Sequence, residues 1–283
     1  MPATPYILAH NYLDTGVLYP SHVVTTTGTE VAGSELFRIA DNLRDLTRFT
    51  VSETNVWVSI LLNTGTAKTT STLVLDKGHN LAGRSYELRT SADGVTYETL
   101  VAAGTFPASA GGLPSDAGGC LTPEGVIWKT VAPFSARWIA LSVLPMGAGL
   151  TPVFTGVYLG LGYRFPAYLP APGAYDYRSQ TKALKNATSQ TGGRIKRRIL
   201  AWDEVDLRLS LEEADFAALL PHVHTLMKQN HPWWFCLDDS DAAGAGLMRL
   251  FQLPGDTLFD PIVNPVHREL RFLLEEVAPT VSI

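Results

Sequence analysis

The feature that most constrains the fold is a period-two alternation of apolar and polar residues through the first 165 residues. In the run VWVSILL (56–62), alternation places Val56, Val58, Ile60 and Leu62 on one face of an extended chain. In RWIALSV (137–143) it places Ile139, Leu141 and Val143 on one face. Gly, Pro, Ser, Thr and Asp separate such runs. Many short strands at regular spacing predict an antiparallel β-sandwich.

A hairpin is predicted within SYELRTSADGVTYETL (85–100). Tyr86 and Leu88 share one face, the chain turns at Ala92-Asp93-Gly94, and it returns through Val95 and Tyr97. A short helical piece is also expected around residues 40–46, before the strand at Val56.

The pattern changes after a segment rich in proline, RFPAYLPAPGAYDY (164–177). Pro166, Pro170 and Pro172 exclude a central strand or a helix interior, so this segment is the expected linker. We therefore predict three regions: a sandwich over 1–165, a linker with a basic arm over 166–200, and a further module over 201–283.

The last region reads as α+β, with a small antiparallel sheet and one packed helix. Val205, Leu207 and Leu209 alternate with polar residues, and Ser210 with Glu213 forms a capping box that predicts a helix start. Pro221 should kink or split that helix. Further strands are predicted at WWFCL, GLMRLFQL and HRELRFLLEEV, and the helix stripe consists of Phe216, Leu219, Leu220, Val223, Leu226 and Met227.

Composition narrows the function classes. The chain is 46% hydrophobic with a formal net charge of -5, and it contains no run of eighteen apolar residues. We expect a soluble protein made in the cytoplasm, with no membrane insertion and no sequence-specific nucleic acid partner. The two cysteines, Cys120 and Cys236, do not indicate a disulfide framework.

No catalytic motif, phosphate-binding loop or paired-cysteine metal site is present in the sequence. His222, His224, His231 and Cys236 carry zinc-ligand chemistry, but residues two apart on a helix diverge. The acidic run 238–241 lacks the spacing of a calcium loop. We therefore predict no enzyme activity, no cofactor and no metal.

The stretch LVLDKGHNLAGRSYELRTSADG (73–94) concentrates polar residues beside glycines. Asp76, His79, Asn80 and Arg84 either hold a loop between two strands or contact a ligand. Asx and glycine turn chemistry favours the structural interpretation, with Gly78 and Gly83 supplying positive φ angles.

Trp233, Trp234 and Phe235 form an adjacent aromatic cluster that serves as core or as an apolar interface. On a strand, Trp233 and Phe235 share one face while Trp234 takes the other. Covering both faces suggests a second subunit.

The segment between Tyr177 and Leu200 contains seven basic residues and no acidic one. It lacks the aromatic platforms of single-strand nucleic-acid sites, and its glycines and polar residues predict a long, flexible arm. Acidic residues follow at once, so the arm of one copy could lie on the acidic face of the next. The inter-subunit arm residues are Arg178, Lys182, Lys185, Arg194, Lys196, Arg197 and Arg198.

Taken in order, several stretches of the first half resemble the galactose-binding-like, discoidin-type β-sandwich, a jelly-roll fold. They are ADNLRD, LVLDKGHNLAG, SADGVTYETL, SARWIALSV and GVYLGLGYRF, which together cover most of residues 30–165. In that family, ligands, where they exist, sit in loops at one end of the sandwich. This chain lacks the disulfide of the extracellular members.

The second half is similar to strand-helix-strand units of tailed-bacteriophage distal-tail and tail-tip proteins, in WDEVDLRLSLEEADFAALL, HPWWFCLDDSD and RELRFLLEEV. This resemblance implies a virion structural component of the tail tip or baseplate, made in the host cytoplasm. It implies a homo-oligomeric ring or hub around the tail channel, a hexamer rather than a trimer, with tail tube, hub or fibre proteins as neighbours.

The alternative function is that of a carbohydrate-binding module recognising a host cell-surface glycan. Sugar sites need an exposed aromatic platform with convergent polar groups. The tryptophans available in the first half are Trp57, Trp128 and Trp138. Trp57 and Trp138 lie within strand patterns, which leaves a core role open for both.

Overall fold

The computed structural model divides the chain into two units, residues 3–167 with 233–248 and residues 168–232 with 249–283. We call them the sandwich unit and the C-terminal unit. Backbone and side chains are described for 6–8, 10–16, 18–40, 48–54, 56–144, 150–164, 214, 216–221 and 233–236. The backbone alone is described for 175–183, 187–188, 194–195, 198–212, 248–252 and 267–276.

The sandwich unit is antiparallel and almost entirely β, as the alternation predicts. A 3-10 helix runs from Leu36 to Ala40 and overlaps the predicted helical piece only at Ala40; residues 41–46 of that piece lie outside the described residues. The strands are β1 (Tyr6–Leu8), β2 (Val23–Thr26), β3 (Phe49–Thr50), β4 (Val58–Leu75), β5 (Ser85–Ser91), β6 (Thr99–Thr105), β7 (Cys120–Leu121), β8 (Ile127–Val143), β9 (Val153–Phe154), β10 (Val157–Gly160), β11 (Gly162–Arg164) and β16 (Trp233–Cys236).

Two long strands, β4 and β8, form the centre of the sandwich. They pair with each other in two stretches, with register shifts between Asn63 and Lys68 and between Thr70 and Thr72. Both halves of β4 bury side chains in one apolar core, Ile60 and Leu62 from the first half and Leu73 from the second. A straight strand could not do this, so the β4–β8 pair folds over near residues 64–68.

The folded pair gives the sandwich its two layers. In the first layer, β2 pairs with the first half of β4, and β5 pairs with the second half of β8 and with β6. In the second layer, β10 pairs with the second half of β4, and β7 pairs with the first half of β8. The alternation predicted for Val58, Ile60 and Leu62, and for Ile139, Leu141 and Val143, is confirmed, since all six face the core. Val56, predicted on the same face as Val58, lies before β4 and is exposed, so its placement was wrong.

The outer face of the second layer is covered by a short sheet in which β1 pairs with β11 and with β16. The ring of Tyr6 meets Trp128 edge-on with centroids 5.6 Å apart, and Tyr158 meets Trp234 edge-on at 5.5 Å. The Tyr6 hydroxyl hydrogen-bonds Thr72 and Ser71 on β4. This face of the sandwich is therefore a second apolar layer rather than a solvent-exposed surface.

The strand β16 lies apart in sequence from the rest of this unit. Trp233, Trp234 and Phe235 are buried, and Leu8 pairs with Trp234 and Ile7 with Phe235. Sequence reasoning assigned them to the module over 201–283, yet their backbone completes a sheet begun at residue 6. Their burial within one chain removes the need for a second subunit to cover both faces.

The two ends of the sandwich differ in construction. We call the end where β4 starts and finishes the loop end. Its described residues are 27–40, 48–54 and 56–57, then 76–84, then 144 and 150–156. The opposite bend end contains the fold-over of β4 and β8 and the turn 92–98. Hydrogen bonds tie Leu144 to Ser85 and Asp76 to Gly156, which holds the connections at the loop end together.

The hairpin predicted for 85–100 is confirmed as the β5–β6 pair, but its return strand begins at Thr99. Val95 is 83% exposed in the turn. The Asp93 carboxylate accepts the amides of Val95 and Thr96, both at 2.9 Å, and this holds them in the turn. The prediction that the return strand runs through Val95 and Tyr97 is therefore wrong.

In the C-terminal unit, β15 pairs with β12 on one side and β18 on the other, and β17 pairs with β18. Residues 216–221 are helical. The capping box at Ser210 is wrong, because Ser210 lies inside β15 and pairs with Glu269. The strands are β12 (Tyr175–Ala183), β13 (Ala187–Thr188), β14 (Arg194–Ile195), β15 (Arg198–Glu212), β17 (Met248–Gln252) and β18 (His267–Glu276).

The region predicted as linker and flexible arm contains regular structure. The prolines 166–172 lie outside the described residues, but β12 runs antiparallel to β15, and β13 pairs with β14 between them. The arm is thus a β-ribbon in the part that the structure describes. The sequence signal failed there because Ser, Thr and Gly between strands are as typical of a hairpin as of a flexible tether.

Candidate functional site

The polar residues of loop 76–84 are tied to the neighbouring segment 151–156 at the loop end. The Thr155 hydroxyl donates to the carbonyls of Asp76 and Lys77, at 2.9 and 2.7 Å. The Asn80 side chain accepts the amide of Val153 at 2.8 Å and donates to the carbonyl of Thr151 at 3.0 Å. Asp76 and Asn80 therefore join two connections into one rigid surface.

His79 is a partly buried titratable group of this loop, and its pKa is lowered to about 4. Burial is the larger cause, and it outweighs the opposing influences of Asp76 and of the Gly125 backbone. Its Nδ1 accepts the amide of Leu81 at 3.1 Å. A neutral imidazole that accepts a backbone amide stabilises the loop and is poorly suited to proton transfer at neutral pH.

Arg84 ends the loop, and its backbone is fixed on both sides. Its amide donates to the carbonyl of Leu81 at 3.0 Å, and its carbonyl accepts the amide of Phe106 at 2.9 Å. The predictions for Gly78 and Gly83 are confirmed, with φ angles of +90° and +72°. Among the residues that the structure describes, the guanidinium of Arg84 has no hydrogen-bond or ion-pair partner.

The three candidate tryptophans have different surroundings. Trp128 is 0% exposed and lies under Tyr6, which excludes it as a sugar platform. Trp138 faces outward on β8, but the Arg137 guanidinium lies 4.2 Å from its ring centroid. Gly94 is packed so closely against Trp138 that a Cβ there would lie 2.6 Å from the indole Nε1.

Trp57, by contrast, offers an accessible ring. It is 41% exposed, and within the described part of the chain no aromatic ring or guanidinium contacts it. It immediately precedes β4 at the loop end. The sequence alone left the role of Trp57 open, because an alternating run does not indicate which of its two faces packs into the core.

Other large apolar side chains are exposed at the same end, where Phe37 is 65% exposed and Val56 and Leu150 are also exposed. Sequence analysis missed Phe37. Its neighbours Leu36 and Ile39 are buried, so the helical spacing of SELFRIA could have identified Phe37 as outward-facing. At the loop end, exposed aromatic side chains therefore lie beside loops that are held by hydrogen bonds.

The register of the first layer gives the order of residues along this rim. Val58 pairs with Val143, and the amide of Leu144 bonds the carbonyl of Ser85. Trp57 and Arg84 therefore lie one residue before two strands that flank β8. With strands about 4.8 Å apart, their backbones are separated by about 10 Å. Val58 and Tyr86 both face the core, so alternation places Trp57 on the outer face of the layer and Arg84 on the core side.

An aromatic cluster at the opposite side of the sandwich was not found from the sequence. Tyr19 stacks on His22 with centroids 4.6 Å apart, and the Tyr19 hydroxyl hydrogen-bonds His10 Nδ1 at 2.6 Å. Burial raises the pKa of Tyr12 to about 12 and is the main cause of the raised pKa of Tyr19. The Tyr12 hydroxyl donates to the carbonyl of Thr69, so this cluster packs the N-terminal segment onto β4.

The proposed arm residues lie on the β-ribbon or outside the description. Arg178 and Lys182 are on β12, Arg194 is on β14 and Arg198 begins β15. Lys185, Lys196 and Arg197 lie outside the described residues, as do His222, His224 and His231. In the described part of the chain, no group of three or more metal-ligating side chains occurs. Nor does any helix there have the length and apolar character needed to cross a membrane.

No family model matches the sequence, and no curated protein matches it. Solved structures do match. A carbohydrate-binding module of CpGH89 from Clostridium perfringens, in complex with GalNAc-β-1,3-galactose, is 16% identical with a TM-score of 0.39, over 51% of this chain and 99% of that chain. Chitosan-binding module 1 of a chitosanase/glucanase from Paenibacillus sp. IK-5 is 20% identical with a TM-score of 0.38, over 53% and 98%.

A GH29 fucosidase from Ruminococcus gnavus in complex with fucose is 14% identical with a TM-score of 0.41. The match covers 54% of this chain but 27% of the fucosidase. Each of these three matches covers about half of this chain.

Proposed function

We propose that the sandwich unit is a carbohydrate-binding module without catalytic activity, and that it recognises a cell-surface glycan at its loop end. The observation that carries the proposal is Trp57, a 41% exposed indole with no described ring or guanidinium contact, on a surface of hydrogen-bonded loops. Protein sites for sugars combine such an apolar platform with a few fixed polar groups.

The rigidity of the loop end favours binding. Thr155, Asn80 and the backbone of Arg84 hold segments 76–84 and 151–156 in place before any ligand arrives. A surface that is already ordered loses little conformational entropy on association. The broad indole also supplies apolar contact area at low entropic cost, since only two side-chain torsions must be fixed.

The hydrogen bonding of the carboxylates at this end supports a site that binds a ligand without catalysing a reaction. Glu53 accepts the Thr29 amide with both oxygens, at 2.8 and 2.9 Å, and Glu35 accepts the amide of Gly33 and an N–H of Arg38. Their hydrogen bonds lower the pKa of both groups, that of Glu35 to about 2. Neither could act as a general acid at neutral pH.

The test is a glycan array with the full chain, followed by calorimetry on the best ligand. Trp57→Ala should abolish measurable binding, and Trp57→Phe should retain part of it. Trp138→Ala, which removes the same residue type from the bend end, should bind like wild type. Wild-type affinity in Trp57→Ala, or no glycan bound by the intact chain, would contradict the proposal. The full chain is required because β16 belongs to the sandwich unit and a 1–165 fragment lacks it.

A second candidate function, a homo-oligomeric structural component of a bacteriophage tail tip or baseplate, has support from the ribbon of β12 and β15. β15 pairs with β18 from Glu204 to Glu212, whereas residues 198–203 pair with β12 alone in the described backbone. A two-stranded ribbon is marginally stable by itself. Contact of its basic residues with an acidic surface of another copy would stabilise it.

Sedimentation tests this second candidate. Changing Arg194, Lys196, Arg197 and Arg198 to Ser should weaken assembly, most clearly at low salt, because charge pairs are screened as salt rises. Arg89→Ser on the sandwich unit is the control for a charge removed elsewhere. Unchanged oligomers at low and high salt would refute the role of the ribbon.

A further inference from the structure

The strand β12 (Tyr175–Ala183) lies at one edge of the sheet in the C-terminal unit. It pairs with β15 along its whole length, and in the described backbone no strand pairs with its other edge. The strand contains no proline, and its register against β15 is regular as far as Lys182. An open edge of this length carries a row of amides and carbonyls that can hydrogen-bond another strand. Which strand can join it depends on the residue at each register position.

The charged residues near the two ends of β12 are placed symmetrically about Ser179. Asp176 lies three residues before Ser179, and Lys182 lies three residues after it. If two copies of β12 run antiparallel with Ser179 opposite Ser179, Asp176 of each copy is opposite Lys182 of the other. Opposite charges at directly opposite positions stabilise an antiparallel pair, and this register also pairs every residue of the strand.

The neighbouring registers are less favourable. Directly opposite residues share one face of a sheet, so a two-fold pairing of identical strands is centred on a residue. Centring the pair on Arg178 places that arginine opposite itself, and centring it on Gln180 places Arg178 opposite Lys182. Like charges at opposite positions destabilise a pair. Centring it on Tyr177 pairs residues 175–179 alone, so the sequence favours the register centred on Ser179.

The pairing of β12 with β15 supplies a second, independent argument. Asp176 is opposite Asp206 in that pair, so two acidic residues occupy adjacent positions across the strands. This arrangement is unfavourable in a single chain. Lys182 of a second copy on the other side of Asp176 would extend the row to acid, acid and base, and would offset the repulsion.

We infer that β12 pairs antiparallel with β12 of a second copy about a two-fold axis at Ser179, which joins the sheets of two C-terminal units into one. Such a contact is isologous, because the same residues meet in both copies, and it closes at two chains. The inference is independent of glycan binding. It also differs from the contact between the basic ribbon and an acidic surface of another copy, in which two different surfaces meet.

Cysteine cross-linking of the full chain tests the register. Ser179→Cys places two thiols at opposite positions, with Cβ atoms about 5 Å apart, so a short thiol-specific cross-linker should join two chains. Thr181→Cys is the matched control, since its two copies lie about 14 Å apart and should not be joined. Cys120 and Cys236 are buried, and the wild type corrects for any reaction of these two.

A non-reducing gel measures the product, which has twice the 30.7 kDa mass of the chain. Failure of Ser179→Cys to give this product, or an equal yield from Thr181→Cys, would overturn the inference.

Sedimentation of charge variants tests the same contact without added cysteines. Asp176→Lys and Lys182→Asp should each raise the dissociation constant of the pair about tenfold, because like charges then lie opposite each other twice. The double variant restores opposite charges and should recover the wild-type constant. Arg271→Glu is the control, since it reverses a charge on β18, which lies between β15 and β17, and should associate like wild type.

The stability of Asp176→Lys separates loss of pairing from misfolding. This variant removes the pair of acids at Asp176 and Asp206, so its monomer should unfold at no lower urea concentration than the wild-type monomer. A wild type that sediments only as a monomer, or a double variant that associates no better than the single ones, would contradict the inference. Oligomers that persist unchanged in Asp176→Lys would show assembly through another surface, which overturns this contact and leaves the tail-protein candidate standing.

Discussion

The two sandwich layers share strands β4 and β8, yet the outer face of the second layer is buried and the outer face of the first layer is exposed. On the second layer, Val74 and Trp128 are 0% exposed under β1 and β16. On the first layer, Val23 and Leu100 are half exposed and nothing in the described chain covers them. The alternation of β4 and β8 cannot distinguish these faces, because what covers a sheet is decided by distant segments.

The largest difference between the two faces should appear on removing a tryptophan from each. Trp128→Ala should lower the free energy of unfolding by about 3–5 kcal/mol, since it leaves a cavity under Tyr6. Trp138→Ala, on the first layer, should lower it by about 1–2 kcal/mol. Urea denaturation measures both values, and equal losses would show that the second layer is no better covered than the first.

His79 lies in the loop that follows the second half of β4, the half that belongs to the covered second layer. The pKa of its folded form is about 4, below its ordinary 6.5. Between these values the unfolded chain binds a proton that the folded chain does not, so stability falls as pH drops from 6.5 to 4. The loss contributed by this group reaches about 3 kcal/mol.

Urea denaturation at pH 7 and pH 4.5 measures that dependence on His79. The variant His79→Gln should lose less stability between the two pH values than the wild type does. Comparing differences within each protein removes the contribution of all other titrating groups. Identical pH dependence in the two proteins would show that His79 is not kept neutral by the fold.

A smaller effect is expected for the hydroxyl that joins β1 to the second layer. Tyr6→Phe removes the hydrogen bonds to Thr72 and Ser71 and should lower the free energy of unfolding by about 1 kcal/mol. Thr72→Val combined with Tyr6→Phe provides a double-mutant cycle. Strict additivity in that cycle would be evidence against a direct bond between the two hydroxyls.

The smallest effect should come from the uncovered face. Leu100→Ala is half exposed on β6 and should change the free energy of unfolding by less than about 0.5 kcal/mol. A loss above about 1 kcal/mol that depends on protein concentration would mean that another copy covers this face in solution. That result would remove the contrast between the two layers.

Sequence reasoning identified the strands of the sandwich because period-two patterns are local. Ile60, Leu62, Ile139 and Leu141 were each placed on the core face, and the structure buries all four. The 18-residue length of β4 was missed, since its centre, NTGTAKTT, resembles a turn and in fact forms the fold-over. Pairing of β16 with β1 depends on contacts between distant residues, which no local pattern contains.

The candidate site, like the strands, was predictable from the sequence only where its features are local. The glycines around Asp76 and Asn80 identified a structured loop, because positive φ and Asx bonding are encoded within a few residues. The exposure of Trp57 was not predictable from the sequence, since both faces of an alternating run can be apolar.

The pairing of Tyr6 with Cys236 also has a consequence for biosynthesis. A ribosome releases the first strand of that sheet long before its partner, so the sandwich cannot be completed while the chain is short. Until residue 236 emerges, Trp128 and Tyr158 lack the cover that β16 helps to provide, and the nascent chain carries an exposed apolar surface. Closing so large a loop makes folding slow. We therefore expect products truncated before residue 233 to aggregate more readily than the full chain.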